Sequence, residues 1–502
     1  MSILKYFPGT PRKSQSAILL RVEEEWEKND VFIIDAPVSF GKSRVAVCIT
    51  RWAASKNKTT SILTKDRVLV NQYIKDFPRM AKLLAKRDYP CVTHKNAERA
   101  SKFFKKEWKS HREAENCTGC SSYISDLRRA QVSKTRPIPL LCNMHVHLAH
   151  KMSKDVLLID EAHNLVTFLQ ELHTKKWWQH DIHYPEDSWT RKDFQAWMVT
   201  LRPDQKVGMK LLEDELNRES ARFILTRDVE PYFNKNTECL KMVPFDIRGE
   251  APFMWPQKRT KLVFLSATMN HKDLERIGLE DRRWVILSAG SAIPTDRRPV
   301  HLDAVESVTY ARQESKVPHL LDFIDFTWNH YGRTKGLVHL TYGMSEQLKS
   351  LLRSSNKKEL RSVNELPFVF HTAKDKMQRL KEWMATDSGI LVACGLSEGL
   401  DLYEDLARWQ IIGKVPWPSL GNPVLAEWAR RDHEAYLWET LKQVIQMSGR
   451  VCRGPADFGA THIFDSQILR LLKESESAKI VPKWWKDAVR DKESVWQTLE
   501  RT

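Results

Sequence analysis

Seven short apolar runs recur along this 502-residue chain and constrain its fold more than any other feature. They are rich in Val, Ile and Leu, and several are followed by helical patterns. Such runs are typical of strands buried in a parallel sheet, with chemistry gathered where the strands end. We therefore predict an α/β fold with two lobes. The predicted strands are residues 31–35, 61–64, 156–160, 262–266, 336–340, 389–393 and 409–415.

The segment between residues 165 and 260 departs from this pattern. It has no comparable apolar run, its charges are dense and its tryptophans cluster. We predict that it forms a mainly helical insertion in the first lobe. The sequence SAIPTDRRPV at 291–300 is the predicted linker between the lobes. The clustered tryptophans are Trp177, Trp178, Trp189 and Trp197.

The sequence FIIDAPVSFGKSR, residues 32–44, ends in the manner of a phosphate-binding loop. Such a loop works because backbone N–H groups at a strand-to-helix turn surround phosphate oxygens, a lysine reaches the terminal phosphates and a hydroxyl binds Mg²⁺. Gly41, Lys42 and Ser43 are the predicted residues. Ala36 replaces the first glycine of such loops, and its small side chain still allows close approach of the backbone.

A second predicted site lies at VLLIDEAHNL, residues 156–165, where an apolar strand delivers two adjacent acids. Nucleotide-bound Mg²⁺ needs a carboxylate, and hydrolysis needs a base beside the attacking water. Asp160 and Glu161 can divide these tasks, and His163 follows them. The acids could instead cap the next helix. Capping explains one acid but not the upstream loop, so the two sites together predict an ATPase.

Two further segments complete this prediction. Gln15, in TPRKSQ ahead of the loop, could read the adenine edge through its amide. The segment QMSGRVCRG, residues 446–454, contains Gln446 and places Arg450 and Arg453 three residues apart. That spacing puts both guanidinium groups on one face of a helix, where they could reach a phosphate as arginine fingers.

The chain carries, in order, PRKSQ, APVSFGKS, LLIDEAHNL, LSATM, GLVHLTYGMSEQL, ACGLSEGLDLYEDL, KVPWPSLGNP and QMSGRVCRG. This series resembles the motifs of XPD/DinG-type superfamily-two DNA helicases, a DEAH-box family with iron–sulfur members, across both predicted lobes. The resemblance implies two RecA-like parallel-sheet lobes, with a cysteine-containing insertion and an arch-like helical insertion in the first. It also implies ATP and Mg²⁺ as cofactors and 5′→3′ movement on single-stranded DNA. The compact length would suit a viral or mobile-element member.

The resemblance also implies roles for single residues. Lys42 and Ser43 would hold phosphate and Mg²⁺, Asp160 would hold the metal, and Glu161 would polarise water. The arginine pair would complete the pocket. The implied nucleotide-binding set is Gln15, Ala36, Gly41, Lys42, Ser43, Asp401 and Gln446. The implied domains are 1–84, 143–168 and 259–292 for lobe 1, 85–142 for the cysteine-containing basic insertion, 169–258 for the arch-like insertion and 293–502 for lobe 2.

Four cysteines show a metal-type spacing. Cys91, Cys117, Cys120 and Cys142 are separated by 25, 2 and 21 residues, a wide gap, a close pair and a wide gap. In XPD-like helicases a similar spacing holds a [4Fe–4S] cluster; a thiolate set also suits zinc. Cys142 belongs to LLCNMHVHLAH, which resembles the strand before the DEAH box. If it faces the core, His94 or His111 must serve, or the metal is absent and the thiols are free.

The charge of the chain is +16, and residues 81–136 carry 14 Lys/Arg against 6 Asp/Glu, half of the total. Such a balance favours a polyanionic partner, nucleic acid first, although a solvated basic surface is the simpler alternative. Within it, KFFKKEWKSHR interleaves cations with rings, as a single-strand path requires. The predicted nucleic-acid residues are Lys102, Phe103, Phe104, Lys105, Lys106 and Trp108.

Two functions are compatible with these motifs. The first is an ATP-driven helicase that unwinds duplex or branched DNA in replication, recombination or repair, acting as a monomer on single-stranded and forked DNA, with RNA–DNA hybrids as further candidates. The second is an ATP-switched nucleic-acid clamp with little unwinding. The chain has no 18-residue apolar run and no signal-peptide pattern, so we expect a cytoplasmic or nucleoid-associated protein, or a host-cytoplasmic one if viral.

Overall fold

The structure is a computed structural model, in which the chain forms two compact units. Unit 1 comprises Met1–Ala36, Gly41–Ala289 and Asn422–Val424, and unit 2 comprises Pro37–Phe40, Gly290–Gly421 and Leu425–Thr502. The described residues are 1–37, 40–65, 67–91, 95–96, 118–178, 196–197, 199–200, 223–232, 235–249, 251–255, 259–354, 366–396, 402, 404–452, 454 and 456–490.

Unit 1 is built on a parallel sheet. Its strands are β1 (Val31–Asp35), β2 (Thr60–Thr64), β3 (Ala81–Leu83), β4 (Pro90–Cys91), β5 (Lys95–Asn96), β6 (Leu140–Asn143), β7 (Val156–Asp160), β8 (Lys175–Trp178), β9 (Phe223–Tyr232), β10 (Lys235–Pro244), β11 (Lys261–Ser266) and β12 (Trp284–Ser288). Seven of them form the sheet in the order β12-β1-β11-β7-β2-β6-β3. In β1, β2 and β7 every residue is buried, as expected of strands covered on both faces. The predicted strands of this half are confirmed.

Helices connect the strands of unit 1. They are α1 (Lys13–Glu25), α2 (Lys42–Ser55), α3 (Arg67–Asp76), α4 (Thr118–Val132), α5 (Met144–Ala149), α6 (Leu165–His173) and α7 (His271–Arg276). α2 buries Val45, Ile49 and Trp52, which are three or four residues apart and so share one helical face. β1 is aligned with β11 so that Asp35 lies opposite Ser266, and β11 with β7 so that Leu265 lies opposite Asp160. Polar residues therefore meet at one edge of the sheet.

The insertion after α6 contains the strands β8, β9 and β10. β8, β10 and β9 form an antiparallel sheet in that order, so the predicted mainly helical insertion is wrong for these segments. Charged side chains cover its solvent face, where Lys176 contacts Glu230 at 2.7 Å and Lys241 contacts both Asp228 and Glu230. Half-buried strands interleave charges with apolar residues, so they lack the continuous apolar run by which strands were sought.

Unit 2 contains a second seven-stranded parallel sheet, in the order β15-β16-β14-β17-β18-β13-β19. The strands are β13 (Val300–His301), β14 (Gly336–Leu340), β15 (Phe368–Val369), β16 (Ile390–Cys394), β17 (Trp409–Ile412), β18 (Ala460–Ile463) and β19 (Val489–Arg490). The helices are α8 (Gln313–His330), α9 (Tyr342–Ser354), α10 (Lys376–Met384), α11 (Pro423–Arg431), α12 (His433–Ser448), α13 (Gln467–Ser477) and α14 (Lys483–Lys486). The predicted α/β fold with two parallel sheets is confirmed. Within the described residues, no helix has the length and apolar character that crossing a membrane requires.

Candidate functional site

The phosphate-binding loop of unit 1 joins β1 to α2. Gly41 is the residue before α2 and has a φ of 82°, a left-handed conformation that favours glycine. A Cβ atom at this position would lie 2.7 Å from Nε2 of Gln15, so the Gln15 amide would have to shift to accommodate one. The Gln15 side chain is buried, and its Oε1 accepts a hydrogen bond from the Arg12 N–H at 2.9 Å. Gln15 and the start of α2 are thus in contact, as the sequence predicted for one site.

Lys42 begins α2, and Ser43 follows it. The Lys42 side chain is only 9% exposed, and its Nζ lies 3.3 Å from Oε1 of Glu161. The first turn of a helix presents backbone N–H groups that bind phosphate oxygens. The structure therefore brings together the predicted lysine, the helix N-terminus and the DEAH-box glutamate.

Asp160 is the last residue of β7 and is fully buried. Its Oδ2 accepts a hydrogen bond from the Tyr73 hydroxyl at 2.7 Å, and its Oδ1 accepts one from the Glu161 N–H at 3.0 Å. Removal from water raises the pKa of the Asp160 carboxyl, and the negative charge of Glu161 raises it further, while Lys42 acts in the opposite direction. A bound cation would stabilise the charged form of this carboxylate.

The chemistry of these donors fits Mg²⁺. A buried carboxylate and a serine hydroxyl are hard oxygen donors of the kind that Mg²⁺ prefers, and Mg²⁺ needs few of them because it retains waters and phosphate oxygens. Asp160 and Ser43 are the residues that would hold it.

His163 links the DEAH box to the segment LSAT at the end of β11. Its Nδ1 lies 3.1 Å from Oγ of Ser266 and 3.4 Å from Oε2 of Glu161. Its Nε2 accepts a hydrogen bond from the Asn164 amide at 3.1 Å, which places the ring proton of a neutral imidazole on Nδ1. The Ser266 hydroxyl also accepts a hydrogen bond from the Thr268 N–H at 3.0 Å. Glu161 is therefore flanked by Lys42 on one oxygen and His163 on the other.

In unit 2, α12 ends at Ser448, with Gly449 as its C-cap, so Arg450 follows the helix. The prediction that Arg450 lies on a helical face is therefore wrong. Glycine and serine are poor helix formers, and the helix stops before this arginine. Arg450 is 7% exposed. Burial lowers the pKa of His339 to about 4, and the positive charge of Arg450 acts in the same direction. Gln446 lies in the last turn of α12. Arg453 and Asp401 lie outside the described residues.

The four-cysteine prediction is corrected at one position. Cys142 lies inside β6, opposite Leu63 of β2 and Leu83 of β3, and its side chain is fully buried. Burial raises the pKa of its thiol to about 12, and its partners on the two adjacent strands are leucines, which cannot ligate a metal. A ligand set that includes Cys142 therefore does not fit.

The remaining predicted ligands are mostly outside the described part of the chain. Cys91 is a buried residue of β4. Cys117, the Cys120 side chain, His94 and His111 are not among the described groups, nor are the predicted nucleic-acid residues between 102 and 112. Among the residues that are described, no group of three or more His, Cys, Asp or Glu side chains is arranged to hold a metal ion.

A cavity of about 500 Å³ lies along α2 in unit 1. Gly9, which precedes the Gln15 segment, and the side chains of Arg44, Arg51 and Arg79 are among its lining groups. Arg44 directly follows Ser43 in the first turn of α2. Arg44 and Tyr73 belong to no predicted site; their proximity in sequence to the GKS motif and to a predicted strand is the one signal that could have indicated them.

Comparisons with known proteins agree with this arrangement. Residues 334–488 match the family "Helicase C-terminal domain", and residues 9–182 match "Type III restriction enzyme, res subunit". Among solved structures, the chain is similar to an XPD helicase at 13% identity, with a TM-score of 0.59 and coverage of 94% of this chain and 99% of that one. It is also similar to XPD in apo form (14% identity, TM-score 0.55, 91% and 97% coverage) and to Xpd4 of S. tokodaii (12%, 0.54, 95% and 99%). Comparison with curated proteins gives no match.

Proposed function

We propose that this chain is an XPD/DinG-like superfamily-two helicase that hydrolyses ATP to move 5′→3′ along single-stranded DNA and to separate duplex or branched DNA; the two family matches and the fold similarity to XPD helicases support this proposal. The observation that carries the hydrolytic part is the contact series from Lys42 through Glu161 and His163 to Ser266. This series joins the phosphate-binding loop, the DEAH box and the LSAT segment. Through these contacts, the presence or loss of the terminal phosphate at Lys42 can change the contacts of the LSAT segment.

The proposed hydrolysis begins with exchange of partners at Lys42. The terminal phosphates of ATP take the Lys42 ammonium, and Glu161 is released from its ion pair. Its carboxylate then accepts a proton from the attacking water, while His163 holds its second oxygen. The water oxygen forms a bond to the γ-phosphorus as the bond from that phosphorus to the bridging oxygen breaks, and ADP leaves. Asp160 and Ser43 would hold Mg²⁺, which when bound would neutralise charge on the phosphates.

Two further assignments belong to this proposal. Arg450 and Arg453 supply guanidinium groups to phosphoryl transfer, a role that their motif supports. The nucleoside part of ATP occupies the cavity along α2, which Arg44 lines, and Gln15 reads the adenine edge through its amide. The position of Arg44 next to Ser43 supports this placement.

DNA as the substrate and the 5′→3′ direction rest on the resemblance of the motif series to XPD/DinG-type helicases. The test is an unwinding assay with duplexes that carry a 5′ or a 3′ single-stranded tail, each made with DNA and with RNA strands. We expect ATP-dependent unwinding from 5′ DNA tails. Unwinding from 3′ tails alone would refute the direction, and ATP turnover without unwinding would select the clamp. A preference for RNA strands would refute the substrate.

We propose a metal centre with three of the four predicted cysteine ligands. Cys91, Cys117 and Cys120 stay candidate ligands of an iron–sulfur or zinc centre, and no step of the proposed reaction passes through it. Cys142 is excluded from this set because it belongs to the core of the unit 1 sheet.

A further inference from the structure

Asp160 is held by a residue that no motif contains. Tyr73 lies on the buried face of α3, 1% exposed, and its hydroxyl donates to Oδ2 of Asp160 at 2.7 Å. The Glu161 N–H donates to the other oxygen of the same carboxylate. Each carboxylate oxygen therefore has a fixed donor, and the plane of the group is set from both sides.

We propose that Tyr73 is a positioning residue that orients the Asp160 carboxylate for the Mg²⁺ of bound ATP. This inference rests on the proposed ATP hydrolysis and adds a residue to it. A carboxylate oxygen has two acceptor sites, so Oδ2 can accept the hydroxyl and still face a cation. Partners that hydrogen-bond to metal ligands fix their orientation, and removal of such a partner typically weakens metal binding by 10- to 100-fold.

The contacts of Tyr73 allow the effect of its hydroxyl to be measured separately from the effect of its ring. The ring lies 6.0 Å from that of Phe77 and shares the buried face of α3 with Val70, three residues earlier. A Tyr73→Phe change keeps these apolar contacts and removes one oxygen atom. Its effect on metal binding therefore reports on the hydrogen bond to Asp160.

The chain contains a matched control for this change. The Tyr89 hydroxyl donates to Oδ2 of Asp126 at 2.8 Å, and both side chains are buried in unit 1. The pair shares its tyrosine–aspartate hydrogen bond with Tyr73 and Asp160, and the Tyr89 hydroxyl in addition accepts one from the Leu84 N–H at 3.1 Å. Asp126 belongs to α4 and to no nucleotide motif. Tyr89→Phe therefore measures what the loss of a buried tyrosine–aspartate hydrogen bond does to the fold alone.

The experiment uses the full chain with Mn²⁺ as the probe. Free Mn²⁺ is measured by electron paramagnetic resonance during titration of each protein with a non-hydrolysable ATP analogue present, and the Mg²⁺ concentration for half-maximal ATP turnover is measured in parallel. We expect Tyr73→Phe to weaken Mn²⁺ binding about 10-fold and to raise the half-maximal Mg²⁺ concentration similarly. Tyr89→Phe should leave both at the wild-type value. Urea unfolding checks that both variants are folded.

Equal Mn²⁺ affinity of wild type and Tyr73→Phe overturns the proposal, as does an equal loss in Tyr89→Phe. A second measurement uses Asp160→Asn: if Tyr73 acts through Asp160, adding Tyr73→Phe to that variant changes Mn²⁺ affinity no further, and an additive loss overturns the proposal. If Tyr73→Phe does not fold while Tyr89→Phe does, the hydroxyl has a structural role and the proposal fails. Wild-type protein that binds no Mn²⁺ with nucleotide refutes the proposed function itself, a separate result.

Discussion

Lys42 and Glu161 form an ion pair, with 3.3 Å between Nζ and Oε1. Lys42, which should hold the terminal phosphates, is thus paired with Glu161, which should activate water. In the proposed function, ATP binding would break this contact, because the triphosphate carries far more charge than a single carboxylate. One contact would then couple nucleotide binding to release of the proposed base.

Loss of the Lys42 ammonium should abolish turnover. We expect Lys42→Ala to lower ATP hydrolysis at least about 100-fold, as removal of a transition-state charge partner does. The measurement is phosphate release in the presence of single-stranded DNA. Lys56→Ala is the matched control, because Lys56 is the C-cap of the same helix and is exposed. Unchanged turnover in Lys42→Ala would refute the site.

Glu161→Gln should separate binding from hydrolysis. The amide cannot accept the proton from water, so we expect turnover to fall about 100-fold or more. ATP affinity should be equal or higher, because the substitution removes the carboxylate that competes for Lys42. Binding of a fluorescent ATP analogue and phosphate release measure the two effects. A variant that binds weakly but still turns over would assign Glu161 to ATP binding instead.

Arg44→Ala tests the nucleoside cavity. If Arg44 contacts the base or ribose, its loss should raise KM for ATP about 10-fold and change kcat little, since the phosphates stay on the loop. Steady-state kinetics give both constants. Arg21→Ala, on the exposed face of α1, is the control. A wild-type KM in Arg44→Ala would place the nucleoside elsewhere.

Because two histidines are buried, we predict that the folded protein loses stability in acid. Burial lowers the pKa of His147 in unit 1 and of His339 in unit 2 to about 4. In the unfolded chain a histidine has a pKa of about 6.5, so between these values the unfolded state binds more protons. Stability should be full above pH about 6.5 and should fall as the pH drops towards 4, by at most about 3 kcal/mol for each histidine. Urea unfolding at several pH values measures this.

His147→Gln is the accompanying variant. Its side-chain amide can replace the contact of His147 Nε2 with the Met254 carbonyl, and it does not titrate. The acid-dependent loss should then be smaller for unit 1 than in wild type. An unchanged pH dependence would show that His147 does not cause it.

Cys142→Ala should affect the fold and not the metal content. The side chain fills a position inside β6, so its truncation leaves a small cavity and lowers stability by about 1 kcal/mol. Iron and zinc per chain, measured by mass spectrometry after anaerobic purification, should equal the wild-type values. Loss of metal in Cys142→Ala but not in Cys48→Ala, another buried thiol of unit 1, would restore Cys142 as a ligand.

The sequence predicted best those elements whose physics is local. β1, β7 and β14 have the predicted bounds because each residue in them is buried, which leaves a continuous apolar run. β9 and β10 were missed because one of their faces carries charges. β3 and β13 have three and two residues, too few for any pattern.

Site residues, too, could be predicted from the sequence only where their placement depends on local structure. The motif residues Lys42, Asp160 and Glu161 were predictable because each directly borders a strand or helix of the fold. Tyr73 was not, because its partner is 87 residues away in sequence and its own surroundings suggest only a core aromatic. The end of α12 before Arg450 was missed because spacing alone does not show where a helix stops.

Glu161 has a φ of 51° and a ψ of 48°, in the left-handed region. This conformation costs an L-residue roughly 1–2 kcal/mol, whereas glycine adopts it freely. The backbone of this turn therefore gives no advantage to a glutamate over a glycine. In the proposed function the backbone cost is offset by what the carboxylate does, since its contacts with Lys42 and His163 place it where water would be activated.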